Sequence, residues 1–159
     1  YNALMEKKFY NLALRFLSYR PRSEQEIRNK LKEKRAPQET IVKVVSELKE
    51  QKFINDEEFA KSWIESRLRF RPRSLRLIKI ELKQKGIDPA TINKMINDEG
   101  LMINDLENAK KLIEKRMRRL KGLSRQEIYE KLGRFLASKG FDWDTIKKSI
   151  DYVYETKRS

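Results

Sequence analysis

The 159-residue sequence has no cysteine and no histidine. Without cysteine the chain forms no disulfide and has no thiol nucleophile. Without histidine it lacks the commonest general base and a usual zinc ligand. Only five glycines are present, and none belongs to a phosphate-binding loop of the Walker type. We therefore expect a protein that is not an enzyme and that binds no cofactor or metal ion.

Long apolar runs are absent too. No stretch approaches the roughly 18 consecutive apolar residues of a membrane span, and no signal peptide is visible. We therefore expect no association with a membrane. The lack of disulfides suits a reducing compartment, so we expect a cytoplasmic protein, and we expect it to be a monomer.

The composition favours helices and an anionic partner. Valine, threonine and glycine are scarce, whereas lysine, glutamate and leucine are abundant, which favours helix over strand. The 38 lysines and arginines outnumber the 24 aspartates and glutamates, so the formal net charge is +14. A surplus of this size favours nucleic acid or an acidic protein surface as the partner.

A short basic turn recurs with a period of about 50 residues, which is typical of tandem repeats. Tyr-Arg-Pro-Arg-Ser at residues 19–23 returns as Phe-Arg-Pro-Arg-Ser at 70–74 and, more loosely, as Leu-Lys-Gly-Leu-Ser at 120–124. An isoleucine four residues and a leucine eight residues after each serine predict an apolar stripe on three equivalent helices. With one helix before and one after each of these, the sequence predicts an all-α fold of three tandem three-helix repeats, which resemble helix-turn-helix units. The predicted repeats span residues 3–53, 54–103 and 104–156.

Capping residues mark the predicted helix ends. Ser23 and Ser124 are each followed three residues later by glutamate, which predicts capping boxes, whereas the middle repeat has Leu77 at that position. Gly86 and Gly140 are expected to end the second helices of the later repeats in the left-handed conformation. Gly100 is expected to end the short helix that follows Asp88-Pro89, and residues 133–136 add one helical turn to the third repeat.

The first repeat departs from this pattern at one corner, where Arg35 occupies the position of Gly86 and Gly140. A residue with a side chain resists the left-handed conformation. We therefore expect the first repeat either to turn differently here or to carry strain of about 1 kcal/mol.

Four segments in this order resemble the RecX family of bacterial recombination regulators. They are the serine-capped helix after the basic turn, residues 55–60 at the start of the middle repeat, and the corners at 85–87 and 139–142. The resemblance covers the chain from about Leu14 to Val153. It implies an elongated, curved array of three repeats that lies in the groove of the RecA filament on DNA. There it would restrain filament growth, ATP hydrolysis and strand exchange in recombination, DNA repair and the SOS response.

Basic residues are concentrated near the three turns, and a solvated helix face is the plain alternative for any one cluster. Two clusters at corresponding repeat positions favour a shared surface instead, facing the RecA filament and, as a second candidate ligand, its single-stranded DNA. We expect this surface on the concave side of the array. A spacing of four residues also predicts that Arg67 aligns with Arg71, and Lys111 with Lys115 and Arg119. The candidate residues are Arg20, Arg22, Arg67, Arg69, Arg71, Arg73, Arg76, Lys110, Lys111, Arg116, Arg118, Arg119 and Lys121.

Aromatic and acidic residues have simpler interpretations. Trp63 shares a helix face with apolar neighbours and is expected to pack in the core, whereas Trp143, at a helix start, stays open between packing and base stacking. Tyr19, Phe70 and Leu120 occupy matched positions before the three serines, which favours packing over contact with bases. The three acids at residues 56–58 suit the positive end of a helix dipole better than a magnesium site.

Two other functions are compatible with the sequence. The first is direct, largely nonspecific DNA binding by the helix-turn-helix-like repeats, which the charge alone would support. However, the second helix of each repeat mixes acids with bases, and no recognition helix stands out. The second is a scaffold for an unrelated acidic protein.

Overall fold

A computed structural model of the chain describes residues 2–98 and 104–158, except for the side chains of residues 98 and 158. All regular elements in these ranges are helices, which confirms the predicted all-α class. Gly100, the predicted end of the sixth helix, lies outside the described residues. The exact boundaries of the repeats stay a prediction.

The helices follow one another in three groups of three. The first group is α1 (Asn2–Tyr19), α2 (Glu24–Glu33) and α3 (Gln38–Glu50). The second group is α4 (Asp56–Arg69), α5 (Leu75–Gln84) and α6 (Pro89–Asp98). The third group is α7 (Asp105–Met117), continued by a 3-10 helix (Arg118–Leu120), then α8 (Arg125–Ser138) and α9 (Trp143–Arg158).

The described chain divides into two compact units. The first unit contains the residues up to Trp63 together with those from Leu82 to the gap at residue 99. The second unit contains Ile64–Glu81 together with the residues after the gap. The division passes through α4 and α5, so that each unit contains part of the second helix group.

Each unit has an apolar core built from the stripes expected from the sequence. In the first unit Ile27 and Leu31 of α2 are fully buried against residues of α1 and α3. In the second unit Ile128 and Leu132 of α8 pack with residues of α7 and α9. The additional turn of α8 places Leu136 in the same core with no exposed surface. The inserted turn therefore keeps the apolar face in phase, as predicted.

The serine caps form as expected from the sequence. The Ser23 hydroxyl accepts from the Glu26 N–H at 3.2 Å, and the Glu26 carboxylate accepts from the Ser23 N–H at 3.0 Å. Ser124 and Glu127 make the same reciprocal pair. Ser74 caps α5 without a glutamate, because its hydroxyl still accepts from the N–H three residues later. The three basic turns therefore all end at the capped start of a second helix.

A carboxylate from the next helix group also binds at two of these helix starts. Asp56, the first residue of α4, accepts the backbone N–H of Glu24 at 2.9 Å. Asp105, the first residue of α7, accepts the backbone N–H of Leu75 at 2.9 Å. The N–H groups in the first turn of a helix have no partner within the helix, so each aspartate satisfies one of them.

The Asp56 carboxylate is expected to be replaceable by an amide. Burial raises the pKa of Asp56 above its ordinary 3.8, although the N–H of Glu24 opposes the shift. A raised pKa in the folded state means that ionisation weakens the fold and that protonation at lower pH restores stability. Asp56→Asn keeps the acceptor oxygen without the charge, so it should be at least as stable as the wild type at pH 7. Asp56→Ala should cost about 1–2 kcal/mol.

Urea unfolding at pH 7 and at pH 4.5 checks this expectation. The advantage of Asp56→Asn over the wild type should shrink at the lower pH, because the wild-type carboxyl begins to take up a proton. A loss for the amide equal to that for the alanine would contradict this expectation, because it would show that the helix start needs the carboxylate and not only an acceptor oxygen.

A glycine corner approaches each of the same two helix starts. The Ser23 hydroxyl donates to the Lys85 carbonyl at 2.6 Å, and the Ser74 N–H donates to the Lys139 carbonyl at 3.1 Å. The next residue in each corner is a glycine in the left-handed region, with φ of +78° at Gly86 and +87° at the third-group corner. These glycines therefore satisfy a conformational need and also lie close to the preceding helix group.

Arg35 adopts the left-handed conformation despite its side chain, with φ of +60°. Of the two outcomes expected from the sequence, the structure therefore shows strain rather than a different turn. Arg35 is exposed, so no described segment packs against it closely enough to exclude a side chain. Lys52 also has φ of +60°, which the sequence analysis missed.

Arg35→Gly is expected to stabilise the protein by about 0.5–1 kcal/mol, because glycine removes the strain at positive φ and creates no cavity. Lys34→Gly is the matched control, since Lys34 has φ of −84° and gains nothing from glycine. Chemical denaturation of both variants measures the difference. A loss of stability in Arg35→Gly equal to that in Lys34→Gly would contradict the assignment of strain.

Candidate basic interface

The basic turn of the first group is engaged within its own unit. Arg20 pairs with Glu26 at 2.6 Å, which balances its charge. The Arg22 guanidinium lies 3.7 Å above the Phe16 ring and donates to the Phe16 carbonyl at 3.3 Å. Burial, with a smaller contribution from Arg20, lowers the pKa of Arg22. These two candidates therefore support the turn, and they offer less free charge than the sequence indicates.

Two of the arginines around the second turn share one carboxylate. Arg67 Nε lies 2.8 Å from Glu81 Oε2, and Arg73 Nη1 donates to the other oxygen of Glu81. The Arg67, Arg73 and Glu81 side chains are only 19%, 24% and 11% exposed. Arg67 and Arg73 thus fix α4 and the following turn against α5 rather than presenting free charge. The expected alignment of Arg67 with Arg71 is also wrong, because α4 ends at Arg69.

A basic groove of about 660 Å³ lies in the second unit between the end of α4 and α7. Its lining includes Arg69 from α4, Lys111 and Lys115 from α7, Arg118 from the 3-10 helix, together with Glu114 and Pro72. We call it the α4–α7 groove. The four-residue spacing in the sequence predicts that Arg119 aligns with the two lysines. The structure places Arg118 there instead, because the tighter 3-10 helix begins at that residue.

A second basic groove of about 410 Å³ lies between the end of α7 and α8. Its lining includes Arg116, Arg119, Lys131, Arg134 and Phe135. The described residues that line this α7–α8 groove include no carboxylate. The guanidinium of Arg116 lies 4.0 Å from the centre of the Phe135 ring, whose face attracts the positive charge of the arginine. The basic residues of α7 are therefore divided between two grooves rather than lying on one face.

Sequence reasoning missed two members of the α7–α8 groove, Lys131 and Arg134. Both lie on α8, outside the basic clusters near the turns. A signal was nevertheless present, because Arg134 belongs to the additional helical turn of the third group. An inserted turn that carries a cation beside an aromatic residue is a reason to add its neighbourhood to a candidate surface.

The remaining candidates differ in how freely they present their charge. Lys110 lies 3.5 Å from the centre of the Tyr152 ring and 3.0 Å from Glu107, so it packs between α7 and α9. Arg76 donates to a backbone carbonyl at 3.4 Å. Arg71 and Lys121 are exposed, and no carboxylate within residues 2–98 and 104–158 pairs with either.

The three residues at matched positions before the serines, Tyr19, Phe70 and Leu120, do not share one environment. Leu120 is buried, as expected, with 8% of its surface exposed. Tyr19 and Phe70 are 74% and 70% exposed, so the expectation that they pack in the core is wrong. They stand at the end of a first helix, where the chain turns away from the core. Two rings that precede basic turns are therefore available to a partner.

The tryptophans also differ. Trp63 stacks on Phe59 with ring centres 5.8 Å apart, but it is only half-buried, so it packs at the edge of the core rather than within it. Trp143 is 63% exposed and touches Tyr129 edge-on, with ring centres 6.2 Å apart. Trp143 therefore packs against the outer surface of α8 rather than in the core.

The acidic run at the start of α4 has partners within its unit. Asp56 accepts a backbone N–H, and Glu57 pairs with Lys94 at 2.8 Å. In the described ranges we find no group of three side chains able to hold a metal ion. Among the same residues, no helix combines the length and the apolar character that crossing a bilayer requires.

Family models match the chain in three consecutive segments. The model for the first three-helix domain of RecX matches residues 10–48, the model for the second matches 55–96, and the model for the third matches 104–150. The three segments follow the three helix groups of the structure. They support three tandem three-helix domains.

Whole proteins with related sequences carry the same family name. Regulatory protein RecX of Bacillus velezensis is 35% identical over 145 residues, which cover 91% of this chain and 55% of that protein. Regulatory protein RecX of Prosthecochloris aestuarii is 34% identical over 145 residues and is covered to 93%. The chain thus spans about half the length of the Bacillus relatives. A crystal structure of RecX from Lactobacillus salivarius matches with a TM-score of 0.77 and 27% identity, over 94% of this chain and 97% of that chain.

Proposed function

Because the chain belongs to the RecX family, we propose that it regulates the recombinase RecA. In this proposal the chain binds the RecA filament on DNA and limits filament growth, ATP hydrolysis and strand exchange. It acts by binding rather than by catalysis, as a monomer in the cytoplasm. A role in binding rather than in catalysis agrees with a sequence that contains no histidine and no cysteine.

The basic grooves of the second unit are the observation that supports this proposal most directly. The α4–α7 and α7–α8 grooves together contain eight cationic side chains and one carboxylate, Glu114. Concave surfaces lined by one sign of charge concentrate the electrostatic field and attract a partner of opposite charge. A nucleoprotein filament offers both DNA phosphates and acidic protein side chains. Complementary charge of this kind mainly accelerates association and fixes orientation.

The structure changes which residues should be altered to test the proposal. Arg71 and Arg73 look equivalent in the sequence, but Arg73 is bonded to Glu81, so reversing its charge would disturb the fold. Arg119 and Lys131 are exposed, and the described residues include no carboxylate in an ion pair with either, although Lys131 also interacts electrostatically with Glu127. Arg119→Glu/Lys131→Glu therefore removes charge from the α7–α8 groove with the least structural cost.

RecA-catalysed ATP hydrolysis on single-stranded DNA provides the experimental readout. The wild-type chain should lower the rate, and Arg119→Glu/Lys131→Glu should need about tenfold more protein for the same effect. Lys147→Glu/Lys157→Glu on α9 is the matched control, because it changes the net charge equally outside the grooves. An unchanged hydrolysis rate at saturating wild-type protein would contradict the proposal. If the groove variant and the α9 control weakened the inhibition of ATP hydrolysis equally, the α7–α8 groove would not be the binding surface.

A further inference from the structure

A mostly apolar groove of about 440 Å³ lies in the second unit between α8 and the start of α9. Its apolar walls come from Tyr129, Ala137, Trp143 and Ile146, and we call it the Trp143 groove. Trp143 is 63% exposed, because within the described residues its ring has only an edge-on contact with Tyr129. Typical binding sites measure about 300–1,000 Å³, so this groove is large enough to receive a side chain of a partner.

The residues that form the Trp143 groove are peculiar to the third helix group. Trp143 is the first residue of α9, whereas α3 begins with a glutamine and α6 with a proline. Tyr129 lies five residues after Ser124, where the other two groups have an arginine and a lysine. The additional turn of α8 supplies Gly133 and Arg134 to the lining. The first two groups fold without these features, so a three-helix group does not need them for its own packing.

Gly133 lies inside α8, at a position where the fold does not require a glycine. Beyond the backbone of α8, the nearest described atom to a Cβ at this position would belong to the Trp143 ring, at 4.0 Å. That distance is an ordinary contact, so a side chain would fit. Glycine in the interior of a helix is also less stable than alanine. The effect of Gly133 is therefore to keep the groove open, although it weakens the helix.

The charges at the edge of the groove indicate which kind of partner fits. Arg134 lines both the Trp143 groove and the α7–α8 groove, so the two grooves meet at this residue. The α7–α8 groove adds Arg116, Arg119 and Lys131, and its described lining residues include no carboxylate. An apolar group in the Trp143 groove therefore has several cations beside it. These cations are complementary to carboxylates that flank the apolar group.

A nucleic-acid base fits the Trp143 groove less well than an amino-acid side chain does. Glu130 belongs to the lining, and its carboxylate repels phosphates. Ala137 and Ile146 have no side-chain donor or acceptor for the polar edge of a base. A leucine or phenylalanine side chain needs no such partner and would gain from burial beside Trp143.

We propose that the Trp143 groove binds an acidic protein segment through one apolar anchor, a leucine or phenylalanine flanked by aspartates and glutamates. The anchor covers the Trp143 ring and lies against Gly133. The flanking carboxylates pair with Arg134 and with the neighbouring cations of the α7–α8 groove. A buried anchor of this kind carries most of the binding energy, whereas the charges fix the orientation. The site needs neither RecA nor DNA, so it stands or falls separately from RecA regulation.

A labelled synthetic peptide tests the site with the chain alone. The probe is fluorescein-labelled Asp-Glu-Asp-Glu-Leu-Phe-Asp-Glu-Asp-Glu, and its control has Ala-Ala in place of Leu-Phe. Fluorescence anisotropy at about 150 mM salt, where long-range attraction between exposed charges is screened, should show binding of the probe. The control peptide should bind about tenfold more weakly or worse, because it has the same charge but no anchor.

Gly133→Leu is the most informative variant, because its side chain fills the groove from within and removes no contact of the fold. It should weaken binding of the probe about tenfold or more. Its melting temperature should stay the same or rise, since leucine favours a helix more than glycine does. Trp143→Ala should also weaken binding about tenfold, through loss of the ring that the anchor covers. Circular dichroism of each variant checks that the helices are intact.

Arg134→Gln measures the part played by charge. It should weaken binding of the probe about threefold and make the binding less sensitive to salt. Lys157→Gln is the matched control, because it removes one positive charge from an exposed site on α9 outside both grooves. It should have a much smaller effect.

The fluorescence of Trp143 gives a local readout of the same event. Trp63→Phe leaves Trp143 as the single tryptophan of the chain. The probe should move the Trp143 emission to shorter wavelength, because the anchor removes water from the ring. An unchanged emission at saturating probe would place the peptide elsewhere on the protein.

Three other results would overturn the proposal. Equal binding of the probe and the Ala-Ala peptide would mean that charge alone attracts the segment, without an anchor. Unchanged binding by Gly133→Leu would show that the groove is not the site. If a thymidine oligonucleotide shifted the Trp143 emission and the probe did not, the occupant would be a nucleic-acid base.

Discussion

Gly140→Ala is expected to destabilise the protein by about 3 kcal/mol. A Cβ atom at this position would lie 2.5 Å from the Ser74 hydroxyl oxygen and 2.8 Å from the Leu77 Cβ. Both atoms belong to the start of α5, so the corner or the helix would have to move. Overpacking of this kind costs about 1–3 kcal/mol, and a side chain at φ of +87° adds about 1–2 kcal/mol.

Gly122→Ala is the control that separates the two causes. Gly122 has φ of +85°, but no atom lies within 4 Å of the position of its Cβ. Alanine there should therefore cost only the conformational part, about 1 kcal/mol. Urea unfolding of both variants gives the difference between their losses of unfolding free energy. That difference measures the cost of the steric conflict between the corner and α5. Equal losses would show that this contact has no energetic importance.

The first unit provides an independent repetition of this test. A Cβ at Gly86 would lie 2.3 Å from the Gln25 Cβ, at the start of α2. Gly86→Ala should therefore also cost more than Gly122→Ala. Adding Gln25→Gly removes the atoms that collide, so the double variant should lose less stability than the sum of the losses in Gly86→Ala and Gln25→Gly, since glycine in α2 has its own cost of about 1 kcal/mol. Additive losses would mean that the loss in Gly86→Ala comes from the backbone conformation alone.

Glu81→Ala is the second change with a large expected effect, a loss of about 3 kcal/mol. It removes the carboxylate that both Arg67 and Arg73 contact and leaves two largely buried guanidinium groups close together. Breaking a buried ion pair by removing one partner typically costs about 3–5 kcal/mol, and the partial exposure of these side chains places the loss at the low end. The loss should decrease as salt is added, because ions screen the repulsion between the arginines.

Glu57→Ala is the matched control for this carboxylate. Glu57 and Lys94 form an ion pair with side chains 48% and 51% exposed, and such surface pairs contribute about 0–1 kcal/mol. Denaturation in low and high salt should thus separate a structural carboxylate from a superficial one. A loss below about 0.5 kcal/mol for Glu81→Ala would return Arg67 and Arg73 to the candidate interface.

Features that depend on near neighbours in sequence could be predicted. Serine caps at Ser23, Ser74 and Ser124 need only the next three residues, and the apolar stripes need only the helical period. Left-handed glycine corners are equally local. The strain at Arg35 was identified as one of two outcomes, because a single residue departed from the pattern.

Features that depend on packing between helices could not be predicted. The pairing of Arg67 with Glu81 joins residues 14 positions apart on two helices, and it removed charge that looked free in the sequence. The change from α7 to a 3-10 helix at Arg118 redistributed the basic residues between two grooves. The exposure of Phe70 also depends on the direction in which the chain leaves α4. The number of cations in the sequence therefore located the candidate region. It could not distinguish cations that are paired within the fold from cations that are available to a partner.

The most direct test of RecA regulation compares binding of the chain to bare single-stranded DNA and to a preformed RecA filament on the same DNA. Both titrations are carried out across a salt series, and ATP hydrolysis is followed with the filament. Filament recognition predicts tighter binding to the filament than to the bare strand at physiological salt, with falling hydrolysis. Equal or tighter binding to bare DNA at physiological salt, with a steep salt slope, would make DNA the primary ligand and contradict filament recognition.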